Sequence, residues 1–147
     1  MKLQLMLLFG LFTTLFSCQE KESAPTLVLI PEDYVGEVII VFGFEDGEDE
    51  KMEGDDRILQ IGEDGILKTK FKASYGVSLD NFLSVSETGQ RRLIRREIEV
   101  DDPNEKCIYN GSSSRKEIDG KEYELQVFVV CLKKDIDSYN DIQLKLD

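Results

Sequence analysis

The chain has 147 residues, of which 41% are hydrophobic and 33% charged, and 30 acidic side chains against 18 basic ones leave a formal charge of −12. This balance fits one globular domain, excludes a collagen-like or fully disordered chain, and argues against nucleic acid as a partner, since phosphate neutralisation needs surplus Lys and Arg. The absence of His removes the Ser-His-Asp triad, the Cys-His dyad and every His-based metal site.

Lys2 precedes an uncharged, mostly apolar stretch over residues 3–16. A membrane-spanning helix needs roughly 20 such residues, so this length suits the apolar region of a secretory signal instead. The stretch ends in Leu15-Phe16-Ser17-Cys18, which resembles the lipobox of bacterial lipoproteins. The resemblance implies cleavage before Cys18 and a thioether from its sulfur to diacylglycerol; an ordinary signal peptide with an incidental Cys is the alternative. The expected organisation is a signal peptide over 1–17, a polar tether over 18–26 and one domain over 27–147. The mature chain then carries 30 acidic against 17 basic residues, a formal −13. At ~0.8 kcal/mol per buried methylene, acyl chains on Cys18 hold such a chain to a membrane stably. Gln19 directly behind Cys18 resembles the sorting pattern of outer-membrane lipoproteins, and the acidic residues after it resemble surface-export signals. The expected location is therefore the bacterial cell envelope, at the outer membrane, facing either the periplasm or the surface.

Behind the tether the dominant period is two, the alternation of strands. Residues 27–30 form a short apolar strand stopped by Pro31. Residues 37–44 are apolar on both faces and belong in the centre of a sheet. The acidic stretch 45–56 follows, with eight carboxylates and Lys51. Such oxygen density suits Ca²⁺, but Lys51 stands where an EF-hand loop has its Gly. The plain reading is a solvated hairpin loop, with weak Ca²⁺ binding or docking of a basic partner as alternatives.

Residues 57–61 and 66–71 flank Gly62-Glu63-Asp64-Gly65, a hairpin signal, with Leu67, Thr69 and Phe71 facing in. A second hairpin joins 82–86 to 91–100 through Glu87-Thr88-Gly89-Gln90. On its second strand Arg91 and Arg95 share one face, Arg92 and Arg96 the other, so no face gathers a phosphate cradle. Ion pairing with the acidic stretch or with Glu97 and Glu99 is expected, with an anion or sugar-acid contact as the alternative.

A third hairpin pairs 106–109 with 122–132. On its second strand Tyr123, Leu125, Val127, Val129 and Cys131 share one face, expected to point inward. With Cys18 lipidated, Cys107 and Cys131 remain as an even pair outside the cytosol. A Cys107–Cys131 disulfide would close a 25-residue loop. The chain-entropy model values that at roughly 3–4 kcal/mol before strain. Two buried free thiols are the alternative. A turn at Asp119-Gly120 makes partner numbers sum to 239, whereas 107 and 131 sum to 238. The pairing therefore needs a one-residue bulge, which the segment 110–114 can supply. Residues 134–139 can hold one helical turn, and Ile142, Leu144 and Leu146 alternate as a last strand.

Two segments carry a family likeness: Ile30-Pro31-Glu32-Asp33-Tyr34-Val35-Gly36-Glu37-Val38 and Ile61-Gly62-Glu63-Asp64-Gly65-Ile66-Leu67-Lys68-Thr69. They resemble an uncharacterised family of exported bacterial proteins, a domain of unknown function. Its members share an Ile-Pro-x-x-Tyr-x-Gly-x-Val start and a later Ile-Pro-x-x-Gly segment, where this chain has Gly62 for the second Pro. The likeness spans about residues 28–95 and implies no activity, so it transfers no functional residue. Physically, Gly36 suits a positive-φ turn. Tyr34 is expected to pack over the end of the domain and hydrogen-bond through its hydroxyl, with a binding role as the alternative.

Eight or nine short strands without a convincing amphipathic helix predict an all-β chain, a single antiparallel β-sandwich of immunoglobulin-like or transthyretin-like kind. No catalytic residue, metal or cofactor is expected, because nothing singles out one carboxylate pair among thirty. Without Trp, stacking on a sugar would fall to Tyr34, Tyr75 or Tyr109. The expected function is a non-catalytic, lipid-anchored interaction module with a protein or glycan partner. The second reading is an acidic inhibitor or immunity-type lipoprotein that attracts a basic toxin or lytic enzyme. The third is a carboxylate hydrolase.

Overall fold

The structure, a computed structural model, describes residues 24–74 and 80–140. The signal segment, Cys18, most of the tether, Tyr75 and the alternating residues 142–146 lie outside the described residues. The strands are β1 (Thr26–Pro31), β2 (Gly36–Phe42), β3 (Lys51–Glu53), β4 (Asp56–Gln60), β5 (Ile66–Thr69), β6 (Asp80–Val85), β7 (Arg91–Arg96), β8 (Lys106–Ile118) and β9 (Lys121–Leu132). Among the described residues, a 3₁₀ turn (Glu97–Glu99) and a longer 3₁₀ helix (Lys133–Tyr139) are the helical parts, the second at the place expected for one turn.

The nine strands form one mixed sheet in the order β3-β4-β1-β6-β7-β8-β9-β2-β5. The all-β expectation holds. The purely antiparallel sandwich does not: β1–β4, β1–β6, β2–β5 and β7–β8 are parallel pairs. The reason lies in the short connections. β1 and β2 are five places apart in the sheet, about 24 Å if it were flat, and β4 and β5 are seven places apart, about 34 Å. The links from Pro31 to Gly36 and from Gln60 to Ile66 reach at most ~17 and ~20 Å. The sheet must therefore curl until its two ends approach, and it forms a half-barrel. The Gly62–Gly65 turn, expected to make a hairpin, instead carries the chain across the gap between the two ends of the sheet, from β4 to β5. β4 pairs with β1 and β5 with β2, so the two flanking strands never pair with each other.

The main core fills the inside of the curl. Val28, Ile30, Val38, Ile40, Leu59, Leu67, Phe82, Ile94, Ile108, Phe128 and Val130 meet there, with Phe71. Phe82 and Phe128 touch edge to face at 4.9 Å between centroids. Leu67, Thr69 and Phe71 are buried as expected. β2 is apolar on both faces because both are covered: Val38 and Ile40 join the core, while Ile39 and Val41 join a second cluster with Leu125 and Val127 on the outer face.

The orientation expected for β9 is reversed. Phe128 and Val130 face the core, whereas Leu125, Val127, Val129 and Cys131 lie on the outside of the curl. There Val129 and Cys131 are buried beside Val100, Ile136 and Tyr139, so part of the cover comes from the 3₁₀ helix. The β8–β9 hairpin has the register that the cysteine arithmetic required. Its turn residues Asp119 and Gly120 both have positive φ, the signature of a type I′ turn. From Ile118↔Lys121 to Ser112↔Val127 partner numbers sum to 239, and from Tyr109↔Val129 to Lys106↔Leu132 they sum to 238, with the irregularity between Tyr109 and Ser112. Asn110 takes a left-handed conformation, φ 53°, at that bulge.

Candidate functional site

One end of the curled sheet is polar inside. The inner-facing row of β1 runs from Ile30 and Val28 to Thr26, that of β4 from Leu59 to Arg57, and that of β6 from Phe82 to Asp80. Register places Thr26 between Arg57 and Asp80. On the facing wall, β9 changes from Val130 and Phe128 to Gln126 and Glu124, which pair with Ser113 and Arg115 of β8. Phe42 of β2 lies opposite Glu124. A cavity of about 400 Å³ opens between these walls, within the ~300–1,000 Å³ typical of ligand pockets.

The opening exists because β7 pairs with β8 only at Arg95↔Cys107 and Arg96↔Ile108, so β8 runs on past β7. Across the gap, Gln126 donates from its amide nitrogen to Asp80 Oδ2 at 3.1 Å. Arg57 is fixed from two sides: Nη2 donates to the Lys72 carbonyl at 2.7 Å, and the guanidinium lies 4.3 Å from the Phe71 centroid. Burial lowers its pKa from the usual value, opposed by Glu50 and Asp80. Arg115 lies 3.4 Å from Glu124. Two guanidiniums and two carboxylates thus line a partly apolar cavity walled by Phe42 and Leu59. Sequence reasoning singles out none of these polar residues as a site. The available signal is the change from Glu124 and Gln126 to Phe128 and Val130 along one face of β9, obscured because the other face is apolar over a longer run.

The opposite end holds both segments of the family likeness. Tyr34 donates its hydroxyl to the Glu37 carbonyl, and the Tyr34 ring sits directly over Gly65, which has φ +77°. A Cβ at Gly65 would overlap the Tyr34 hydroxyl and lie 2.5 Å from the Glu37 carbonyl oxygen. The two segments are therefore mutual supports, the structural role expected of Tyr34. Burial raises the Tyr34 pKa, and Asp64 and Glu37 add to the rise. Lys106 Nζ donates to the Glu32 and Tyr34 carbonyls and anchors the same loop. A second cavity of about 590 Å³ here is lined by Glu32, Asp33, Glu63 and Glu87 over Ile30, Ile61 and Val85. Arg92 lies 3.5 Å from Glu32 at its rim.

The acidic stretch is solvent-exposed and closes a hairpin as expected, β3 pairing antiparallel with β4 through Gly54 and Asp55, and it is also tied to the sheet. Glu48 bridges to the free side of β5, with Glu48 N–H donating to the Lys68 carbonyl and Lys70 N–H to the Glu48 carbonyl. β3 then adds a strand at the other end of the sheet. Four of its acids are held by bases: Glu45 by Lys121, Glu48 by Lys51, Asp49 by Lys70 and Glu53 by Arg91. Hydrogen bonds and charge from Lys121, Lys70 and Arg91 lower the pKa values of Glu45, Asp49 and Glu53. Among the described residues no group of three or more Asp, Glu or Cys side chains is gathered as a metal site. The arginines do pair with acids, Arg91 with the acidic stretch as expected, but Arg95 with Glu105 and Arg92 with Glu32. Arg96 instead lies 5.7 Å from the Phe82 ring centroid.

Cys107 and Cys131 are directly opposite one another and fully buried, and both are free thiols, so the expected bridge is not formed in this structure. The bond from Lys133 N–H to the Glu105 carbonyl makes 105/133, and hence 107/131, a hydrogen-bonded pair. Such pairs hold Cβ atoms about 5.5 Å apart, beyond the ~3.5–4.5 Å of a disulfide, so closure needs a small local approach. Burial raises both pKa values, that of Cys131 to about 12. Tyr109 donates its hydroxyl to Asn140 Oδ1 at 2.6 Å, at the end of the 3₁₀ helix.

No helix among the described residues is long and apolar enough to cross a membrane. No curated protein matches the chain. A crystal structure described as "Putative Lipoprotein from Bacillus anthracis" has a similar fold, with a TM-score of 0.64 at 22% identity, covering 86% of this chain and 85% of that one. The model of a family of unknown function, DUF6843, matches residues 22–139, well beyond the 28–95 of the motif likeness. The chain therefore belongs to the DUF6843 family.

Proposed function

We propose that this protein is a lipid-anchored, non-catalytic binding module of the bacterial cell envelope, held through Cys18 and carrying its ligand in the polar mouth of the curled sheet. The observation that carries this reading is the polar end of the inner face. Ion-paired and hydrogen-bonded side chains there border a cavity instead of continuing the apolar core. Non-catalytic binding is supported by the surroundings of the ionisable groups. The shifted carboxylates are pushed down by bases and the thiols are pushed up by burial, the reverse of what a general acid or an activated nucleophile needs. Envelope anchoring is supported by the lipobox-like Leu15-Phe16-Ser17-Cys18 and by the similarity in fold to a protein described as a lipoprotein. Gln19 behind Cys18 favours the outer membrane where the cell has one.

Fractionation of cells expressing the chain and its Cys18→Ala variant tests the anchor. The parent is expected in the membrane fraction and the variant unprocessed and unlipidated. A variant that is processed normally and stays membrane-bound refutes it. Capture of partners by the intact lipoprotein from envelope extract, at low and then high salt, tests the module. A salt-resistant complex or a bound glycan is expected, whereas a single basic protein released by salt would make it an inhibitor.

A further inference from the structure

We infer that the polar cavity at the mouth of the curled sheet is a saccharide site, taking a neutral mono- or disaccharide; this rests on the binding-module reading above. The balance of its lining selects the chemistry. Arg57 and Arg115 supply only hydrogen-bond donors, Asp80 and Glu124 only acceptors, and Gln126 both. The two positive and two negative lining side chains balance, and Glu122 lies a further 3.8 Å from Arg115 outside the lining, so the cavity carries no surplus positive charge to hold an anion. A hydroxyl donates to a carboxylate and accepts from a guanidinium, and a ring of vicinal hydroxyls does both at once.

The walls fit the other surface of a sugar. The partly exposed Phe42, backed by the buried Leu59, offers apolar area to ring C–H groups, so the cavity combines polar and apolar recognition without Trp. Its volume of about 400 Å³ suits a small ligand. Three of the polar groups, Arg57, Gln126 and Asp80, are also held in place before any ligand arrives. Arg57 is clamped between the Lys72 carbonyl and the Phe71 ring, and Gln126 is tied to Asp80 across the gap. Fixed donors and acceptors lose little entropy on binding. The second cavity lacks this balance, since four carboxylates line it against one rim arginine.

The test is a two-dimensional NMR titration of the full chain in detergent micelles, with glucose, N-acetylglucosamine and its β-1,4 dimer as probes. Glucuronate and a neutral tripeptide are comparators. Expected are saturable shifts of the Gln126 side-chain amide and of Thr26 with at least one neutral sugar. Gln126→Ala should weaken that sugar roughly tenfold, the loss of about one hydrogen bond. Thr26→Val, which keeps shape but removes a hydroxyl, supplies a second perturbation should the Gln126 variant fold poorly. If glucuronate or the tripeptide shifts these resonances and the neutral sugars do not, the saccharide assignment falls while the binding module stands. If neither sugars nor comparators perturb the cavity, and the envelope capture also yields nothing, both fall. Sugar-induced shifts confined to other parts of the chain also overturn the assignment.

Discussion

Replacing Gly65 by Ala is expected to destabilise the domain by about 3–5 kcal/mol, far more than a turn glycine normally controls. Three effects add. The φ of +77° costs an L side chain about 1 kcal/mol. The new Cβ cannot coexist with the Tyr34 ring, whose Cζ would lie 2.7 Å away, and overpacking of this kind costs ~1–3 kcal/mol. Displacing Tyr34 also breaks its hydrogen bond to the Glu37 carbonyl, worth about 1 kcal/mol. Gly89 provides the control, since it has nearly the same φ, +81°, with nothing within 4 Å of the position a Cβ would take. Gly89→Ala should therefore cost only about 1 kcal/mol. Urea unfolding followed by circular dichroism measures both, with the midpoint falling and the slope unchanged. The Tyr34→Ala/Gly65→Ala double variant should lose less than the sum of its singles, because removing the ring relieves the overlap. Equal losses for Gly65→Ala and Gly89→Ala would refute the seating of Tyr34 over Gly65, and with it the physical account of why the two family segments belong together.

Two further outcomes are expected. Because burial raises the Tyr34 pKa above 10.0, the folded state holds that proton more tightly than the unfolded one. Its stabilisation is complete below pH 10 and is lost as pH rises through the folded value; Tyr34→Phe should remove the corresponding late phenolate step, and persistence of that step would refute the assignment. Protein isolated from the envelope without reductant, then alkylated under denaturing conditions, should carry a Cys107–Cys131 bridge whose reduction costs about 2–3 kcal/mol after the strain of closure. Two alkylated thiols at those positions would show that the hydrogen-bonded register keeps the pair reduced.

Much of the strand content is legible in the sequence because alternation is a local property. Residues 27–30 and 37–44 predict β1 and β2 to within two residues at each end, and the sums 239 and 238 predict a bulge that the β8–β9 ladder contains. Pairing is less legible, because it depends on which distant strands meet. The Gly62–Gly65 segment has the composition of a hairpin turn, yet β4 and β5 already have partners in β1 and β2, so the same residues make a crossing. The facing of β9 is misread for a related reason. Both faces of residues 127–131 are apolar, and only the three-dimensional curl decides that Phe128 and Val130 enter the core while Cys131 lies beneath the 3₁₀ helix. The polar cavity is hidden by that same reversal, since Glu124 and Gln126 fall on the face that alternation alone assigns to the exterior.

The charge of the chain bears on which partner it selects. A formal −13 after loss of residues 1–17 would draw a basic protein from a distance, but long-range steering differs from a docking surface. In the acidic stretch, Glu45, Asp49 and Glu53 are engaged by Lys121, Lys70 and Arg91, residues distant in sequence that tie the stretch to β9, the β5 edge and β7. A basic partner binding there would have to compete with each of these cations. Exposed pairs of this kind are individually weak, so competition is easy at one pair but grows harder with each additional contact. The mouth of the curl presents no such competition to a neutral ligand. Its Arg115–Glu124 and Asp80–Gln126 pairs can each share a hydroxyl without separating, because a hydroxyl adds a donor and an acceptor together. The physical contrast between these two surfaces favours a small neutral ligand in the mouth over a basic protein on the acidic edge.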